Sequence, residues 1–91
     1  MTCVGRSVRV TGRVQGVFFR AWTREQAQAL GVSGWIRNCP DGSVAIHVSG
    51  EEAAVEQLVE RVRQGPPSAR VDEVQVSPAA PDESDRFEVR H

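Results

Sequence analysis

The chain has no lysine and no tyrosine, only two cysteines and two histidines, and no apolar run near the ~18 residues a membrane-crossing helix needs. Without lysine, neither a phosphate-loop lysine nor Schiff-base chemistry is available. His47 and His91 stand apart, and no paired-cysteine or paired-histidine spacing suggests a metal site. Cys3 and Cys39 allow at most one disulfide, too sparse for the bridged framework of a small secreted domain, so two free thiols are expected. Arg6, Arg9 and Arg13 stand where a secretory leader needs an apolar stretch. These absences point to a cytoplasmic, metal-free protein without a membrane partner.

What is present suits one domain over residues 1–91, since a chain of 91 residues with 40% apolar composition buries roughly 60–65% of its unfolded surface. The net charge of −1 hides an asymmetry. Residues 1–40 hold six arginines against the single acid Glu25, a balance of +5, whereas residues 41–91 hold five arginines against eleven acids, a balance of −6. The positive half is where an anion would bind. A sequence pI near 6.1 lies far below the ~9 expected of a broad nucleic-acid surface, so the anion is expected to be a small molecule. A monomer is the expected state, though no residue pattern sets it.

Hydrophobic periodicity predicts a βαββαβ order with a short terminal strand. Val8 and Val10 alternate with Arg9 and Thr11 in a first strand over residues 6–12. Residues 20–30 read as a helix with Thr23, Ala27 and Leu30 on one stripe, stopped by Gly31. Residues 32–37 and 44–49 read as a hairpin around Pro40-Asp41-Gly42. Val55, Leu58, Val59 and Val62 mark a second helix, with Glu51 and Glu52 at its start and Gly65-Pro66-Pro67 at its end. Val71, Val74 and Val76 give a fourth strand whose uneven spacing suggests a bulge near Asp72. Residues 78–84 read as a polar loop before a closing strand with Phe87 and Val89. That order implies an α+β fold, a single antiparallel sheet with both helices on one face.

Two segments carry chemistry. Gly12-Arg13-Val14-Gln15-Gly16-Val17-Phe18-Phe19-Arg20 is a glycine-bounded turn between a strand and a helix start, where backbone N–H groups converge on a phosphate. Gly16 permits close approach of the chain, and Arg20 adds a planar fork of donors. By spacing alone, an ordinary strand-to-helix loop remains an equal reading. In Gly34-Trp35-Ile36-Arg37-Asn38-Cys39-Pro40-Asp41-Gly42, Asn38 stands at a strand end. An amide there orients a water without taking its proton, or simply caps a turn.

Other residues read more plainly. Cys3 and Arg9 match the C-x5-R spacing of cysteine phosphatases, but in a strand and not a phosphate loop, and Cys39 has no basic partner at a fixed offset. His47 reads as a solvated surface residue, Glu51-Glu52 and Asp72-Glu73 as a helix start and a strand edge, and Trp22 and Trp35 as packing residues. An RNA-recognition module shares the βαββαβ order, yet Ser7, Arg9, Thr11, Ala45, His47 and Ser49 leave the expected open face of the first and third strands without the stacking aromatics it requires.

Together the two segments resemble the acylphosphatase family, which has a GxVQGVxFR loop followed after one helix by GxxGWVxNxxDGxV. Gly31, Gly34, Trp35, Asn38, Asp41, Gly42 and Val44 fall in register with the second pattern, and GPPSARV from Gly65 is similar to the segment before strand four. Ile36 replaces the commoner valine, and Cys39-Pro40 fills a variable pair. The resemblance implies a ferredoxin-like βαββαβ sandwich and hydrolysis of acyl phosphates to a carboxylate and inorganic phosphate, with no cofactor, metal or phosphoenzyme. It implies Arg20 and Asn38 as catalytic residues, and the backbone of Gln15, Gly16, Val17, Phe18, Phe19 and Arg20 as the phosphate-binding cradle. No residue is an evident base, which leaves the substrate phosphate as proton acceptor. The alternatives are a non-catalytic anion-binding or regulatory domain on the same scaffold, or hydrolysis specialised for carbamoyl phosphate.

Overall fold

Alternation along the first strand places Val8 and Val10 against the core and turns Ser7 and Arg9 outward. In the computed structural model, which describes residues 3–81 and 84–90, seven elements follow from such patterns. They are β1 (Cys3–Arg13), α1 (Phe19–Leu30), β2 (Ser33–Asn38), β3 (Val44–Glu51), α2 (Glu52–Gln64), β4 (Arg70–Ala79) and β5 (Phe87–Arg90). The sheet runs β4-β1-β3-β2-β5, the ferredoxin-like α+β arrangement expected.

Ladders β1·β3, β1·β4 and β2·β3 are antiparallel as anticipated, but β5 joins β2 in parallel, with Ile36 opposite Val89 and Arg37 opposite Arg90. The sheet is therefore mixed. Element boundaries also differ from the sequence reading. β1 extends to residues 3–13 because it is central, paired on both sides, and recruits residues with no apolar alternation of their own. β4 continues through Pro78 to Ala79, where a loop was expected, because it is an edge strand and a proline needs no ladder donor on its open side. The bulge falls where the valine spacing placed it: Thr11 pairs with Glu73 and Gly12 with Val71, leaving Asp72 extra.

Both helices bury one stripe on the same sheet face. Phe19, Thr23 and Ala27 of α1 and Val55, Leu58 and Val62 of α2 close over Val8, Val10, Ile36, Val44, Ile46 and Val48. Gly31 ends α1 in a left-handed conformation (φ 73°). Its N–H reaches the Gln28 carbonyl at 3.2 Å, while Val32 N–H reaches Ala27 at 3.1 Å, the paired bonds of a Schellman stop. Val32 thus belongs to this cap, and β2 begins one residue later than expected. Cys3 and Cys39 sit at opposite ends of the β1·β3·β2 ladders. Seven ladder positions between Glu51, opposite Cys3, and Val44, opposite Asn38, span about 23 Å, far beyond disulfide reach.

Candidate active site

The connection from β1 to α1 is pinned at both ends by apolar side chains, and between them it alternates partly buried and exposed residues. Val14 and Phe19 are each 1% exposed, whereas Gly16 and Phe18 face outward, Phe18 at 85% exposure. Gly16 turns the chain at φ 72°, a left-handed conformation natural to glycine, and a Cβ there would meet no protein atom. Phe18 also lies in that region, at φ 59°, where a bulky side chain is strained. It is the N-cap of α1, and no side chain caps the helix or puts an acid in its first turn. The first N–H groups of α1 therefore open toward this loop with their positive dipole end unneutralised.

Three contacts hold the loop in place. Gln15 Nε2 donates to the carbonyls of Cys39 and Ser43, both at 2.8 Å. Ser68 Oγ donates to the Val17 carbonyl at 3.1 Å, reaching across from the segment after α2. Arg20, in the first turn of α1, donates from Nη1 to the Arg90 carbonyl of β5 at 2.9 Å. The parallel register sets β5 beside β2, so this last bond draws Arg20 toward the strand that ends in Asn38.

The hairpin that carries Asn38 is organised by Asp41. Its Oδ1 accepts from Ser43 N–H at 3.0 Å and Ser43 Oγ at 2.6 Å, and its Oδ2 pairs with Arg9. Backbone bonds from Cys39 N–H to Ser43 at 2.8 Å and from Gly42 N–H to Cys39 at 3.1 Å close the turn. Asn38 Oδ1 is buried and has no hydrogen-bond partner among the described residues. A buried acceptor left open at a cleft is suited to taking a hydrogen bond from a bound molecule.

A cleft of about 500 Å³ joins these parts, lined by Val14, Gly16, Phe18, Phe19, Arg20, Ala21, Arg24, Asn38 and Val89. It brings together Arg20 and Asn38, distant in sequence, with Gly16, Phe18 and Phe19 of the expected cradle. Gln15 and Val17 belong to the same loop but are not among the lining residues. The side chain of Gln15 turns instead to the hairpin, a role that its expected place in the backbone cradle did not include. Arg24 and Val89 were also missed. Arg24 falls at i+4 from Arg20, a spacing that puts both on one helix face, so its signal was present.

Elsewhere, Trp22 packs on Phe19 with ring centroids 5.9 Å apart. Trp35 lies on the open sheet face, stacked with His47 at 6.1 Å and flanked by the guanidinium carbons of Arg37 and Arg90 at 5.5 and 5.0 Å. His47 is half-buried, with a ring nitrogen 3.3 Å from Ser49 Oγ, and is not the freely solvated residue expected.

A family model described as acylphosphatase matches residues 6–89. A protein named acylphosphatase from Rhodospirillum rubrum is 54% identical over 77 residues, covering 84% of this chain and 85% of that one. Another so named, from Gloeobacter violaceus, is 50% identical over 88 residues, covering 97% and 95% of the two chains. The structure of an acylphosphatase from Coxiella burnetii superposes with a TM-score of 0.92 at 35% identity, covering 97% of this chain and 93% of the other. Loop, hairpin, fold and these likenesses agree: the chain belongs to the acylphosphatase family and is an enzyme of that class.

Proposed function

We propose that the protein hydrolyses small acyl phosphates to a carboxylate and inorganic phosphate, with Arg20 and the backbone N–H groups of residues 15–20 holding the phosphoryl group and Asn38 orienting the attacking water. The observation that carries this reading is the meeting of Arg20 and Asn38 in one cleft at the uncapped start of α1, with Asn38 Oδ1 buried and open. Water oxygen forms a new bond to phosphorus as the bridging P–O bond breaks. The electron pair leaves with the carboxylate, and the water proton passes to a phosphate oxygen. The chain contributes position and positive potential, which suffice where the leaving group is already a stable anion. No metal and no phosphoenzyme enter this scheme.

On the same reading, residues 1–91 work as one acylphosphatase-like domain, a cytoplasmic monomer that does not act on nucleic acid. No helix among the described residues is long and apolar enough to cross a membrane. The open-face aromatic, Trp35, is already stacked by His47 and two arginines, which leaves little ring surface for a base. The test is turnover of benzoyl phosphate in excess chelator by wild type, Arg20→Ala and Asn38→Ala, with p-nitrophenyl phosphate as counter-substrate. Rapid hydrolysis of the acyl phosphate alone, reduced on the order of 10²-fold or more in each variant, is expected. A variant retaining wild-type kcat/KM removes that residue from the mechanism, and loss of turnover in chelator removes the metal-free scheme.

A further inference from the structure

We infer that the cleft selects acyl phosphates whose acyl portion carries a second anionic group, and that Arg24 recognises it. The inference rests on the hydrolase reading above and names its substrate class. Arg24 lines the cleft one helical turn beyond Arg20, about 6 Å further along the axis of α1. Helical side chains lean toward the N-terminus, so its guanidinium is carried back toward the cleft mouth.

Among the described residues no acid faces Arg24 from its own helix or from the cleft lining. Its helical neighbours at i±3 and i±4 are Arg20, Ala21, Ala27 and Gln28, none of them acidic, and no acid lines the cleft. Arg24 has no ion pair or hydrogen bond among the described residues. An anion bound at Arg24 would therefore meet no carboxylate competing for its guanidinium among the lining residues. Arg20 is drawn to the Arg90 carbonyl beside Asn38, at the end where the phosphoryl group sits. Arg24 is left to face whatever extends beyond it. Phe18, Ala21 and Val89 give the same cleft apolar walls, and at about 500 Å³ it holds much more than a phosphate. A phosphoryl group at Arg20, an apolar portion and a carboxylate or phosphate one helical turn away at Arg24 fit that set of lining residues.

The probes are 4-carboxybenzoyl phosphate and its methyl ester, matched in length and shape but differing in the remote charge. Wild type is expected to favour the carboxylate by about fivefold in kcat/KM, the upper range for a solvent-exposed ion pair. Sodium chloride at high concentration shrinks that preference toward one. In Arg24→Gln the ratio falls to about one, and in Arg24→Lys it is partly kept. Arg63→Gln, which removes the same charge on α2, leaves it unchanged and so controls for net charge. A wild-type ratio at or below one overturns the inference, as does a ratio that survives Arg24→Gln. Calorimetry with 4-carboxybenzylphosphonate and benzylphosphonate separates this from the catalytic reading. If wild type hydrolyses no acyl phosphate, the hydrolase reading fails. The anion site at Arg24 stands in that case if the carboxylated phosphonate binds more tightly and Arg24→Gln removes the difference, and falls if it does not.

Discussion

The side-chain amide of Gln15 donates to the Cys39 carbonyl at 2.8 Å, and to Ser43 at the same distance, fastening the loop that contains Gly16 to the hairpin that presents Asn38. The two halves of the cleft come from different parts of the chain, and this amide is a direct link between them. Gln15→Ala removes both bonds and leaves two partly buried carbonyls each short of one donor. The expected loss is about 2 kcal/mol of stability, at ~1 kcal/mol for each bond. For a domain of this size that lowers the melting temperature by roughly 10 °C. Because the backbone cradle stays intact, affinity for inorganic phosphate should change little while kcat falls. Equal losses in both would make Gln15 part of the phosphate site itself.

Phe18 offers a different test, because its two properties pull in opposite directions. Its left-handed backbone (φ 59°) is strained for a bulky residue, and at 85% exposure its ring contributes little to the core. Asparagine tolerates that conformation. Phe18→Asn is therefore expected to stabilise the fold by about 1 kcal/mol, the low end of the strain stored at such a site. It also removes part of the apolar wall of the cleft, so KM for benzoyl phosphate should rise by about threefold with inhibition by inorganic phosphate unchanged. Chemical denaturation and steady-state kinetics on the same sample read both effects. Destabilisation by Phe18→Asn would show that the ring, despite its exposure, holds the loop.

The sequence made some of these features legible and hid others, for physical reasons. Val8, Val10, Val44, Ile46 and Val48 announce their strands because one face is buried and period-2 alternation records it. Uneven spacing of Val71, Val74 and Val76 revealed the bulge at Asp72 for the same reason. The direction of β5 was hidden, since alternation in Phe87 and Val89 is the same whether a strand runs parallel or antiparallel to its neighbour. Continuation of β4 past Pro78 was hidden because only the topology reveals that this edge is unpaired. Arg20 and Asn38 were singled out through their motifs, and the structure places both in the lining of one cleft. Gln15 was assigned to the cradle by its backbone, because a side chain that bonds to carbonyls 24 and 28 residues away leaves no trace in local spacing. Trp35 was read as a packing residue, and only the sheet order shows that Arg37 and Arg90 cover its ring on the open face.

Thr23 gives a prediction that depends on the core alone. It lies on the buried stripe of α1, fully inaccessible, and its hydroxyl has no hydrogen-bond partner among the described residues. Threonine in a helix ordinarily returns its hydroxyl to a carbonyl one turn earlier, and no such bond forms here. A buried polar atom without a partner carries a desolvation cost with no compensating bond, whereas valine fills nearly the same volume with a methyl group. Thr23→Val is expected to stabilise the fold by about 1 kcal/mol, raising the urea midpoint with the slope of the transition unchanged. Valine and threonine have nearly equal helix propensities, so that contribution leaves the sign intact. A lowered midpoint would mean that the hydroxyl finds a partner in solution, with an internal water as the natural candidate.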